Sequence, residues 1–149
     1  MRTGNSTVAL LYGRPRAVVS YDILPCINGQ EIAAAAEEAG IEFAFRQESS
    51  LSAEIEPTDL LFIDTLHTFT QLTGELRNHA GKVRRFIAFH DTTTFGDQDE
   101  QPVPPGTNEA VGLWPAISRF LKSSPAWELK FYATNNNGLT VLNRSDVSR

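Results

Sequence analysis

Two short apolar runs, Asp59-Leu60-Leu61-Phe62-Ile63-Asp64 and Arg85-Phe86-Ile87-Ala88-Phe89-His90, restrict the fold of this chain more than any other feature. Each has the length of a strand and neither alternates, which is the pattern of a strand covered on both faces in a parallel sheet. Between them, residues 68 to 79 carry Phe69, Leu72 and Leu76 at helical spacing, and Gly81 closes the segment. The unit is therefore strand, helix, strand, and a parallel pair joined this way crosses over right-handed.

The same alternation holds on either side. Ala17 to Asp22 is a β-branched run behind the Gly13-Arg14-Pro15-Arg16 breaker, and Ile32 to Ala39 is a helix candidate stopped by Gly40. Ile41 to Arg46 reads as a further strand. Asp97 to Thr107, acidic and then proline-rich, reads as an irregular solvated loop that could close over a substrate. Val111 to Leu121 reads as a helix, with Pro115 either in its first turn or at a kink. Trp127 to Ala133 and Leu139 to Asn143 flank Asn135-Asn136-Asn137-Gly138, the turn of a closing hairpin. The expected fold is α/β: one Rossmann-like, mostly parallel sheet with helices on both faces and a C-terminal antiparallel hairpin, in a single domain over residues 1–149.

Composition removes several function classes. With 41% apolar and 21% charged residues the chain can build a core, and a net charge of −5 with scattered Lys and Arg gives no phosphate-tracking stripe for nucleic acid. A single cysteine, Cys26, excludes an internal disulfide and a thiolate metal cluster within one chain. No run approaches the roughly 18 apolar residues of a membrane span, and no signal sequence opens the chain, so a cytoplasmic location is expected.

Parallel sheets bind ligands at the carboxyl ends of their strands, and there the polar residues collect. Asp22 ends one strand, where a carboxylate can accept from ribose hydroxyls or simply make a turn. Asp64 ends the next apolar run, with His67 about one helical turn beyond it. His90 and Asp91 end the strand after that, and neighbouring strands lie about 4.8 Å apart. Four titratable groups should therefore converge. Carboxylates suit Mg²⁺ or Mn²⁺, and a nearby histidine can take a proton from a hydroxyl that the metal acidifies. Gly4-Asn5-Ser6-Thr7 precedes Val8-Ala9-Leu10-Leu11 as a small-residue turn precedes a helix, which can hold an anion or merely be an ordinary cap.

Together these residues resemble the class I S-adenosylmethionine-dependent methyltransferases, most closely the branch of macrocin O-methyltransferase-like and cephalosporin-hydroxylase-like proteins. In that branch a strand ending D-x-x-H is followed by one ending H-D or E-D. The likeness spans nearly the whole chain. It implies that Gly4, Asn5 and Ser6 are the last part of the turn that holds the methionine end of the cofactor, that Asp22 is the ribose-binding acid, and that Glu48 and Ser49 lie beside the adenine. Asp64, His90 and Asp91 match the divalent-metal positions, and His67 matches the base. Asp64 also counts among the catalytic and cofactor-contacting residues.

One departure stands out: Met1 falls inside the glycine-rich motif, so the family's first strand has no sequence and the chain resembles an amino-terminally truncated member. Three outcomes follow. The neighbours of that strand pair directly, Val8 to Tyr12 becomes a strand, or a second copy covers the edges as a homodimer, the outcome favoured here. The expected function is methylation of a hydroxyl on a sugar or similar small molecule. The alternatives are a non-catalytic remnant or assembly module that no longer binds cofactor, and metal-dependent hydrolysis by the same acids.

Overall fold

The computed structural model describes residues 4–101 and 111–145. The chain divides into two compact units, Met1–Ala53 and Glu54–Arg149.

In the first unit, Gly4 adopts a left-handed conformation (φ 79°) and opens helix α1 (Asn5–Tyr12), accepting the first helical bond from Val8 N–H at 2.9 Å. Strand β1 (Ala17–Asp22) pairs in parallel with β2 (Glu42–Gln47), from Ala17 opposite Glu42 to Asp22 opposite Gln47. The alanine-rich helix α2 (Gly29–Glu38) connects them and buries Ile32 and Ala36, four apart on one face. Gly40 follows at φ 70°, the left-handed position that commonly ends a helix. Leu11, Ile32, Ala36 and Ile41 form a small core with Val18, Cys26 and Phe43 packed on it.

In the second unit, β3 (Thr58–Ile63) pairs in parallel with β4 (Val83–His90), which in turn pairs antiparallel with β6 (Leu139–Arg144). Strand β5 (Trp127–Ala133) closes the hairpin, giving the order β3-β4-β6-β5. Helix α3 (Phe69–His79) starts at Thr68, whose hydroxyl accepts from Gln71 N–H, and α4 (Leu113–Ser123) carries Pro115 in its first turn, where no N–H is needed. Leu72, Ile87, Phe89, Ile117 and Leu142 are almost wholly buried between the helices and the sheet. Each such side chain contributes about 1.5–3 kcal/mol.

Strand β4 is covered on both faces at Ile87, Ala88 and Phe89, as its apolar run requires. Strand β3 is not: Leu60 is 39% exposed and only Ile63 is buried. The reason is position, because β3 is an edge strand of this sheet. Residues 8–12 lie in α1, so the strand considered for them is not formed. The expected loop is described only to residue 101; its proline-rich remainder lies outside the described residues. Among the described residues no helix is long and apolar enough to cross a membrane.

Candidate functional site

The carboxyl ends of β3 and β4 carry the densest set of ionisable groups. Ile63, the last residue of β3, is buried, and Asp64 directly follows it. A tight bend, with Thr68 N–H donating to Leu66 O, then returns His67 toward the sheet edge. Next door, His90 ends β4, and Asp91 follows in a left-handed conformation (φ 60°) that costs roughly 1–2 kcal/mol but is tolerated best by Asn and Asp. That turn, closed by Phe95 N–H donating to Asp91 O, redirects the chain while the Asp91 carboxylate stays with the histidines.

The distances are short. His67 Nε2 lies 2.9 Å from Asp91 Oδ2 and 3.5 Å from Asp64 Oδ1. His90 Nδ1 lies 3.1 Å from Asp91 Oδ1 and 3.9 Å from Asp64 Oδ1. On the other side of the His67 ring, Nδ1 is 2.8 Å from Glu100 Oε2. The ring itself stacks on Phe95 at 4.7 Å and 11°.

Burial alone would lower the His67 pKa, but the carboxylates of Asp64, Glu100 and Asp91 outweigh it and raise the pKa above its ordinary value. For Glu100, burial raises and the bonds from His67 lower, with the net effect downward. The carboxylate of Glu100 can only accept, so Nδ1 carries a hydrogen. Nε2 then faces two carboxylates, a position that calls for positive charge, whether a proton or a metal cation.

The donor set fits a divalent ion. Asp64, His67 and Asp91 present ligand atoms all within 4.8 Å of one another. His67 Nε2, His90 Nδ1 and Asp91 Oδ1 are buried without an aligned hydrogen-bond partner among the described residues. Mixed carboxylate and imidazole donors suit Mn²⁺ and its neighbours at least as well as Mg²⁺. The four residues expected to converge are thus together, and the geometry adds His67 to the most compact group of donors.

The acidic segment corrects the sequence reading. Asp97 and Gln98 are exposed, as a solvated loop requires, but Asp99 is only 7% exposed. Its Oδ1 accepts from Phe69 N–H at 2.8 Å and from Gly112 N–H at 2.7 Å, so one carboxylate serves the starts of α3 and α4. Burial is favourable here because these helix-terminal N–H groups need acceptors. Glu100 and Phe95 were not anticipated, since no local spacing links them to a histidine 33 and 28 residues away.

The residues expected to touch the cofactor's other parts lie in the first unit. Gly4, Asn5 and Ser6 form the start of α1, where Gly4 as the N-cap has no side chain to offer and the first turn holds no acidic residue. Thr7 Oγ1 lies 3.1 Å from Ser20 Oγ, tying that helix start to β1. Asp22 stands at the tip of β1, where its Oδ1 accepts from Leu24 N–H at 2.9 Å. Glu48 N–H donates to Asp22 O, which brings the ends of β1 and β2 together. Ser49 makes a turn, its hydroxyl accepting from Leu51 N–H and its carbonyl from Ala53 N–H.

No protein-family model matches the sequence, and no curated protein matches it. Solved structures do. The N-methyltransferase NodS from Bradyrhizobium japonicum WM9 is similar with a TM-score of 0.58 at 12% identity, over 97% of this chain and 83% of that one. The magnesium protoporphyrin IX methyltransferase ChlM from Synechocystis PCC 6803, solved with bound SAH, is similar with a TM-score of 0.57 at 13% identity, over 91% of this chain and 67% of that one. At such identities the likeness establishes the fold: α/β with parallel strand pairing, helices and a C-terminal antiparallel hairpin, as in the Rossmann-like methyltransferases.

Proposed function

We propose that this protein is an S-adenosylmethionine-dependent methyltransferase that methylates a hydroxyl of a sugar or similar small molecule with the help of a divalent metal ion. The observation that carries the reading is His67, set among Asp64, Asp91 and Glu100 at the strand ends of a methyltransferase fold. When bound, the cofactor supplies an electrophilic methyl group and the metal a positive charge that acidifies the acceptor hydroxyl.

The protein's own part is holding, orienting and moving one proton. Gly4, Asn5 and Ser6 would take the cofactor's carboxylate, Asp22 its ribose, and Glu48 and Ser49 its adenine. Asp64, His90 and Asp91 would hold the ion. His67 takes the hydroxyl proton at Nε2, the nitrogen that Glu100 leaves available. Because His67 can take a proton only when neutral, turnover should increase as pH rises through its raised pKa.

The compact grouping of Asp64, His67 and Asp91 favours a second ligand set, in which His67 binds the ion and His90 stands aside. Mn²⁺ titration followed by electron paramagnetic resonance separates the two: His90→Ala weakens binding in the first, His67→Ala in the second. Calorimetry with S-adenosylmethionine and S-adenosylhomocysteine, with and without Mg²⁺ or Mn²⁺, tests the function itself. Binding is expected in the micromolar range. Silence at millimolar cofactor would leave the module reading.

A further inference from the structure

We propose that Glu100 is the positioning residue of this site, holding His67 with Nδ1 protonated and Nε2 turned to Asp64 and Asp91. The inference concerns the same residues as the function above, but it stands or fails without cofactor, metal or methyl transfer.

Glu100 grips His67 at three points. Its Oε2 lies 2.8 Å from Nδ1 and accepts from His67 N–H at 3.2 Å, while its own N–H donates to His67 O at 2.9 Å. Phe95 sets the plane of the ring by stacking on it. The gripping segment is itself anchored, because the buried Asp99 beside it bonds the starts of two helices. Two short backbone-to-carboxylate bonds one residue away leave Glu100 little freedom to swing off.

A neutral imidazole has one N–H, and two carboxylates compete for it here. Asp91 Oδ2 is 2.9 Å from Nε2 but out of alignment for a hydrogen bond, whereas Glu100 Oε2 is closer to Nδ1 and aligned. Hydrogen bonds weaken steeply with misalignment, so Glu100 takes the hydrogen. An imidazole without such a partner prefers the opposite tautomer, with hydrogen on Nε2. Glu100 therefore reverses the intrinsic preference and frees the Nε2 lone pair for a proton or a cation, the arrangement by which a carboxylate commonly orients a working histidine.

The test is ¹⁵N NMR of the imidazole nitrogens of the full chain, in chelator, at a pH high enough to neutralise His67. The three histidines, His67, His79 and His90, are few enough to assign by substitution. Wild type should show a pyrrole-type Nδ1 and a pyridine-type Nε2 at His67. Glu100→Ala should convert the majority form to Nε2–H while the signals of buried His79 stay in place, and Glu100→Gln, whose amide oxygen accepts the same hydrogen, should keep the wild-type pattern. A wild-type His67 in the Nε2–H form overturns the proposal with no variant needed. So does a folded Glu100→Ala chain with an unchanged tautomer, or a Glu100→Gln chain that matches Glu100→Ala.

Discussion

At the carboxyl ends of β1 and β2, Asp22 spends one oxygen on the N–H two residues ahead, Ser49 makes its own turn, and Glu48 is exposed. At the carboxyl ends of β3 and β4, by contrast, two histidines and three carboxylates approach within 2.8–3.9 Å, held by a segment that returns from 33 residues away. Both ends belong to parallel pairs. They differ in what supports them: β4 has neighbours on both sides and a helical layer, whereas among the described residues β1 and β2 form a two-stranded sheet. Convergence of like charges is costly, and only a well-packed strand with a second loop pressed over it can hold them at these distances.

The contrast is broken most severely by removing that packing. Phe89→Ala should cost about 3–5 kcal/mol in denaturant unfolding, because the side chain is wholly buried in β4. Phe43→Ala, on the half-buried β2, should cost about 1–2 kcal/mol. Equal costs would mean that the two strand pairs are equally supported.

Next in size is the anchor of the loop. Asp99→Ala strands the N–H groups of Phe69 and Gly112, each worth about 1–3 kcal/mol when left buried and unpaired. Thermal unfolding gives the loss, and the NMR signature of His67 should broaden or shift as Glu100 loses its seat.

A smaller effect is expected at the other end. Asp22→Asn keeps an oxygen for Leu24 N–H and should change stability by less than about 0.5 kcal/mol. It should weaken S-adenosylhomocysteine binding by about tenfold in calorimetry, through loss of a charged acceptor for the ribose. An unchanged affinity would take Asp22 out of the cofactor set and leave it a turn residue.

The finest test is pH. His67 has a raised pKa in the fold, so its stabilising contribution is complete below its ordinary 6.5 and is lost as pH rises through the raised value. Glu100 has a lowered pKa, so its contribution is complete above its ordinary 4.5 and is lost as pH falls through the lowered value. The pair therefore stabilises most between about 4.5 and 6.5. Unfolding midpoints measured in chelator should show this plateau in wild type, and Glu100→Gln should remove the acid shoulder but only lessen the upper one, because Asp64 and Asp91 still raise the His67 pKa.

Much of the fold was legible residue by residue. The apolar runs marked β3 and β4 to within two residues, the Asn-Asn-Asn-Gly turn marked the β5–β6 hairpin, and the alanine-rich stretch marked α2. These are local signals of period and punctuation, and nothing in the tertiary structure overrides them. The covering of β3 was misread because a continuous apolar run does not say whether a strand lies at the edge. Asp64, His67, His90 and Asp91 were legible because each sits at or just beyond a strand end, so topology alone gathers them. Asp99 and Glu100 were not, since a segment with three acids in a proline-rich neighbourhood has the composition of a solvated loop.

The sequence by itself determined which elements form and which ionisable groups stand at the strand ends, because short-range patterning and the rule for parallel sheets suffice for both. Only the tertiary structure decided which nitrogen of His67 is available and what holds it. That choice depends on Glu100 and Phe95, which reach the ring through a loop whose path follows from the buried Asp99 and the left-handed turn at Asp91. Such long-range contacts are fixed by directional bonds of about 3 Å, a scale on which composition and spacing carry no information.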